Sequence, residues 1–212
     1  MKAAILSESE ADDAVLRIIA ERVIEGEIEW YPPPHRGRGQ AGVRKSLPSV
    51  IRHLHYHTDV DLLIVVVDSD HTEPHDESHD KLKSGKNGCR LCMLRQITRD
   101  VRRTLKHVPT RSPLCFAIGL ASPCIEAWLL HGKSAEANEA SWKQHLRQKE
   151  SSSPWASKLK QEKYGTDKPT LPIATDLGSG NARRIAADLS ELVSSFPGGL
   201  APLIDGIRAA IQ

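Results

Sequence analysis

The sequence has no apolar run long enough to cross a bilayer as a helix. Its longest, 62–67, is the length of a single strand, and no membrane partner is expected. Cysteine is scarce: four in 212 residues, with one close pair, which is no disulfide framework. Net charge is small, +2, so composition alone does not announce a nucleic-acid binder, and any such binding must come from local basic patches. Internal repeats, low-complexity tracts and a Walker motif are all missing, and the last absence leaves no nucleoside triphosphate site to expect. An acid, Glu8, arrives too early for a signal peptide, so the expected compartment is the cytoplasm.

What is present suits a folded domain. A hydrophobic share of 39% beside 26% charged residues argues against wholesale disorder, and the length suffices to bury a core without staples. The pattern predicts strands over 3–7, 28–31, 62–67 and 114–119. The run at 62–67 is continuous and β-branched, as a strand covered on both faces should be. Helices are predicted between them. The first is capped by Ser9, carries Glu10, Asp12 and Asp13 in its opening turn and is ended by Gly26. Others follow over about 43–57, with Pro48 interrupting it or in its first turns, over 91–108, and over 124–130 behind a Ser122 cap and Pro123. Residues 132–167 are polar, with one or two surface helices expected around Trp142 and Trp155, and two closing helices are predicted over 182–193 and 200–211. This alternation predicts an α/β fold: a mainly parallel central sheet with helices on both faces over 1–131, plus a C-terminal helical extension over 132–212 packed on the same core.

Parallel strands with right-handed crossovers put their carboxyl ends along one edge, where open α/β sheets hold their sites. Glu8 follows the first strand, and Asp68 and Asp70 follow the buried strand. Crowded carboxylates repel one another, and a hard cation, Mg2+ or Mn2+, relieves that repulsion and supports phosphodiester chemistry. Singly, each acid is also explained as a turn or helix-terminus residue. Glu126 has the same two readings: an acid in the first turn of its helix, or a further member of the site.

Two more clusters carry candidate chemistry. Arg36, Arg38, Arg44 and Lys45 surround a glycine-rich turn before a helix, an arrangement suited to phosphate. Arg95, Arg99, Arg102, Arg103 and Lys106 lie away from the apolar stripe of a later helix, either as a track for nucleic-acid phosphates or as a solvated face. His75 and His79, in a loop that also holds His71, precede the pair Cys89 and Cys92 with spacing acceptable for structural Zn2+. The alternative is that the cysteines begin the helix and the histidines are exposed loop residues, or that some of them help bind a phosphate near Asp70.

A strand ending in Glu8, a helix, and later a hydrophobic strand ending in Asp68-Ser69-Asp70 resembles the pattern of Toprim domains. Those occur in topoisomerases, primases, ribonucleases of ribosomal-RNA maturation and overcoming-lysogenization-defect nucleases. The chain looks closer to a stand-alone Toprim-like family of unknown function, often found beside ABC-type ATPases in bacterial defence loci. The marks are Ser7-Glu8 with Asp13-Ala14-Val15-Leu16, the Gly37-Arg38-Gly39 loop, Val67-Asp68-Ser69-Asp70, and the block Pro123-Cys124-Ile125-Glu126-Ala127-Trp128-Leu129-Leu130. The resemblance implies Glu8 as general acid/base or metal ligand, Asp68 and Asp70 as metal ligands, and Glu126 as a further acid beside the metal. It implies a metal-dependent nuclease acting on DNA or RNA in phage defence or repair, with an ABC-type ATPase as partner. Another metal-dependent phosphoryl-transfer enzyme, or a degenerate docking module without catalysis, are the alternatives.

Overall fold

The computed structural model describes residues 1–34, 37–80, 89–109, 111–148 and 152–212. Four strands, β1 (Lys2–Leu6), β2 (Glu29–Tyr31), β3 (Leu62–Asp68) and β4 (Cys115–Ala121), form one all-parallel sheet in the order β2-β1-β3-β4. The register sets Leu6 beside Val65 and Asp68 beside Ala121, so the carboxyl ends of β1, β3 and β4 share one edge. The helices are α1 (Glu10–Ile24), α2 (Gly39–His57), α3 (Glu77–Asp80), α4 (Arg90–Thr104), α5 (Ile125–Leu129), α6 (Glu139–Arg147), α7 (Ser152–Tyr164), α8 (Leu171–Ala186), α9 (Leu189–Ser195) and α10 (Leu200–Ala210).

The pleat of β3 divides the core. Leu62, Ile64 and Val66 join one apolar cluster; Leu63, Val65 and Val67 join the other. The second cluster is closed by α2 and α4 through Val43, Leu47, Ile51, Leu91 and Leu94. The first is closed by α1, α5 and the C-terminal helices. Trp128 of α5 is fully buried there, edge-on to Phe196 with centroids 6.4 Å apart. Leu159, Ile185, Leu192 and Leu203 enter the same cluster, so 132–212 completes the core that 1–131 begins. Gly119 makes room for this: a Cβ there would stand 2.9 Å from Leu203 Cβ, so glycine lets α10 close on β4.

The α/β architecture matches the sequence pattern, and four local features differ from it. α1 ends at Ile24, where Glu25 takes a left-handed φ of 52° one residue before Gly26. Pro48 sits well inside α2, which starts at Gly39 and runs unbroken to His57. α4 stops at Thr104, short of Val108. The helix expected over 182–193 is two helices, α8 beginning at Leu171 and α9 at Leu189, because the Asp188 carboxylate accepts the Glu191 N–H and starts a new helix. Among the described residues no helix is long and apolar enough to cross a membrane.

Candidate active site and metal centre

The sheet order reverses direction at β1 and β3: α1 leads outward from β1 to β2, and α2 leads back to β3. A crevice opens outside the strand ends at such a point. Glu8 and Asp68 stand there. The Asp68 N–H donates to Glu8 Oε1 at 2.8 Å, and the Gly39 N–H donates to the Glu8 carbonyl at 3.3 Å. The N-terminus of α2 therefore closes on Glu8. Burial pushes the Glu8 carboxyl above its ordinary value, while the N–H groups of Asp68 and Gln40 oppose the shift by favouring the charged form.

Asp68 is half-buried at the end of β3. Burial, then repulsion from Glu8, Asp12 and Glu126, holds its carboxyl well above the usual range. Its Oδ1 accepts the Ile125 N–H at 3.2 Å, so Asp68 rather than Ser122 meets the start of α5, whose N-cap position is Cys124. That pairing carries Glu126 into the crevice. Glu126 is only 6% exposed, and its Oε2 has no hydrogen-bond partner among the described residues. An unpaired buried carboxylate oxygen is costly, and it is open to a cation.

Asp70 behaves differently. Two residues apart on an extended strand would place Asp68 and Asp70 on one face, but β3 ends at Asp68 and Asp70 adopts a left-handed φ of 44°. Its N–H donates to the Pro123 carbonyl at 3.0 Å, and its carboxylate pairs with Arg90 at 2.6 Å. Arg90 also donates to the Asp68 carbonyl at 2.6 Å, so one guanidinium clamps the Asp68-Ser69-Asp70 turn. Asp70 remains close enough to raise the Glu8 carboxyl by repulsion.

Three residues at this site were not expected. Asp12 reads in sequence as a helix-terminus acid, and Ser9 does cap α1 by accepting its N–H. Yet burial, with repulsion from Glu126 and Glu8, pushes its carboxyl up to about 7, despite the opposing Ser9 hydrogen bond. Lys160 arrives from α7, in the polar stretch. Burial disfavours its charge, but Glu126, Asp68 and Asp12 outweigh that and raise it above its ordinary value. Tyr164, one turn on, is raised by burial and then by Glu126 and Asp12. Asp12 has no outlying sequence signal. Lys160 has none either, because its stretch shows no periodicity that would aim it inward.

Of the phosphate-loop candidates, Arg38 directly precedes Gly39, whose N–H meets the Glu8 carbonyl. Arg38 is exposed at the N-cap of α2, and Arg44 and Lys45 are exposed in its first turns. Arg36 lies outside the described residues.

A second cluster sits beyond Arg90. His75, His79, Cys89 and Cys92 bring four ligand atoms within 4.8 Å of one another, a group that could hold a metal ion. His75 Nδ1 is 3.4 Å from Cys92 Sγ and 3.6 Å from Cys89 Sγ. Ligand atoms on a tetrahedron about zinc are separated by about 3.4–3.8 Å, given metal–ligand bonds of about 2.0–2.3 Å. Burial pushes the Cys89 thiol up to about 11, with Cys92 adding repulsion. Burial and then Arg95 lower His75, which keeps its imidazole neutral and ligand-ready. None of the four cysteines of the chain is in a disulfide.

Comparison with protein-family models, with curated proteins and with solved structures gives no match.

Proposed function

We propose that this chain is a metal-dependent nuclease, hydrolysing DNA or RNA phosphodiesters at the crevice between β1 and β3. The observation that carries the reading is the convergence of half-buried Glu8, Asp12 and Asp68 with buried Glu126 at the strand ends, Glu126 Oε2 having no hydrogen-bond partner among the described residues. Asp68, Glu8 and Glu126 are the residues that would hold Mg2+ or Mn2+, with Asp70 braced by Arg90 beside them. Such a cation, when bound, polarises a phosphoryl oxygen and acidifies a water. Asp12, with its carboxyl near neutrality, is suited to take or return a proton at physiological pH. Lys160 brings a positive charge toward the space a phosphate would enter, and Arg38 is exposed at the N-cap of α2, next to the Gly39 that meets Glu8.

The His/Cys quartet is proposed as a structural Zn2+ clip. It joins the loop after β3 to the start of α4, one residue before Arg90, and so steadies the clamp on Asp68 and Asp70. Any ATP-driven step belongs to a partner ATPase, since this chain carries no Walker motif.

The test is cleavage of plasmid, single-stranded DNA and tRNA in Mg2+ or Mn2+, beside Asp68→Asn. Cleavage that the substitution abolishes supports the reading. Cleavage that survives it, or a metal-loaded protein inert on all three substrates, overturns it for the isolated chain.

A further inference from the structure

A third feature lies away from both clusters, on the flank of the sheet. β4 ends the strand order, so its outer side has no strand neighbour. Between this edge, α4 and α10 runs a groove of about 730 Å3, lined by Arg95, Arg99, Arg102 and Arg103 with Phe116 and Thr98. We propose that this groove binds the sugar-phosphate backbone of a nucleic-acid strand. The identity of the ligand rests on the nuclease reading above; the existence of the anion site does not.

Three observations argue for it. Positions 95, 98, 99 and 102 fall on one face of α4, so the arginines form a row spanning about 10 Å along the axis. Among the described residues no carboxylate pairs with Arg99 or Arg102, while Arg95 reaches Asp80 at 3.6 Å and Arg103 reaches Asp100 at 3.7 Å. Asp205 is the lining acid against four guanidiniums. The second observation is Thr98: it is 5% exposed, and its Oγ1 has no hydrogen-bond partner among the described residues. Thr98 lines the groove, and a rotation of its sealed, unpaired hydroxyl would turn a donor toward a phosphate oxygen. Third, the Arg102 guanidinium lies 5.4 Å from the Phe116 ring centroid. A planar cation braced on a ring is a surface on which a base can stack.

The row also has a direction. α4 begins at Arg90, whose guanidinium grips Asp68 and Asp70, and the groove arginines continue from there along the same helix. A strand continued past Arg95 would run toward the end of α4 that carries Arg90. An acidic peptide could add to the free edge of β4, but forked guanidiniums beside a stacking surface favour phosphates and bases.

The experiment is fluorescence anisotropy with labelled 20-mer single-stranded DNA, single-stranded RNA and duplex DNA. The protein is the full chain carrying Asp68→Asn, so that binding is read without cleavage. Adding Arg99→Glu and Arg102→Glu is expected to weaken binding at least about tenfold and to lower the slope of log K against log salt by about 2. Arg52→Glu, on the exposed side of α2, is expected to leave binding unchanged. Arg99→Gln with Arg102→Gln serves if the charge reversal disturbs folding, and Thr98→Val removes the hydroxyl with little change of shape. Unchanged affinity in the folded groove variants, absence of binding at low salt, or displacement of the strand by stoichiometric free nucleotide or acidic peptide each overturns the proposal. Cleavage by the unsubstituted chain separates the two claims. Binding through the groove without cleavage removes the nuclease reading alone, and cleavage with groove-independent binding removes the groove alone.

Discussion

The Asp68 N–H donates to the Glu8 carboxylate across 2.8 Å, joining the ends of two strands that lie 60 residues apart in the chain. Glu8 therefore carries both a structural bond and a charge, and the two can be separated. Glu8→Gln retains an acceptor oxygen and is expected to unfold in urea within about 1 kcal/mol of the parent, whereas Glu8→Ala leaves a half-buried N–H without its partner and is expected to cost about 1–2 kcal/mol. Both variants should lose the rise in melting temperature that Mn2+ gives the parent.

Lys160 faces three carboxylates that repel one another. Lys160→Met leaves that repulsion unopposed. The expected loss at pH 7.5 is about 1–2 kcal/mol, below the range for a fully buried pair because Lys160 is partly exposed. At pH 5 the loss should shrink, since Asp12, raised to about 7, is then protonated. Saturating Mn2+ should return most of it. Urea titrations at the two pH values, with and without metal, measure all three.

The quartet makes a separate prediction. Protein purified without chelator is expected to contain one zinc per chain by elemental analysis, and Cys89→Ser with Cys92→Ser to contain none. Stripping zinc should lower the melting temperature, because the proposed clip ties the loop after β3 to α4. Zinc at parent level in the double variant would place it elsewhere.

Glu139 supplies a pH dependence outside the acidic crevice. Burial raises its carboxyl to about 7 even though its Oε2 accepts the Gly198 N–H at 2.7 Å. Its folded value lies above its unfolded one, so the folded state holds the proton more tightly. The stabilisation is complete below the unfolded value and is lost as pH rises through the folded value of about 7. Between pH 5 and pH 8, Glu139→Gln should flatten the fall in stability by up to about 3 kcal/mol. A parallel slope in parent and variant would remove Glu139 from the account.

The strands were legible because each is a compact apolar run between turn residues, and β3, covered on both faces, needs no alternation to declare itself. The edge that collects Glu8 and Asp68 follows from their positions just after two such runs. What local sequence does not encode is side-chain direction after a strand ends. Asp70 leaves the extended path at a left-handed φ and turns to Arg90, so the spacing rule that paired it with Asp68 stops applying. Asp12 and Lys160 are hidden for a related reason. One occupies a position where any helix welcomes an acid, and the other lies in a polar helix whose docking is decided by contacts far away in the chain. The His/Cys quartet shows the opposite case, where ligand spacing alone anticipated a group that the fold brings within 4.8 Å.

The most direct measurement is the anomalous signal of a crystal soaked in Mn2+. The account predicts a peak in the crevice, about 2.0–2.3 Å from oxygens of Asp68 and at least one of Glu8 and Glu126. A fully soaked crystal with density only at the His/Cys quartet or at surface acids, and none in the crevice, would contradict it.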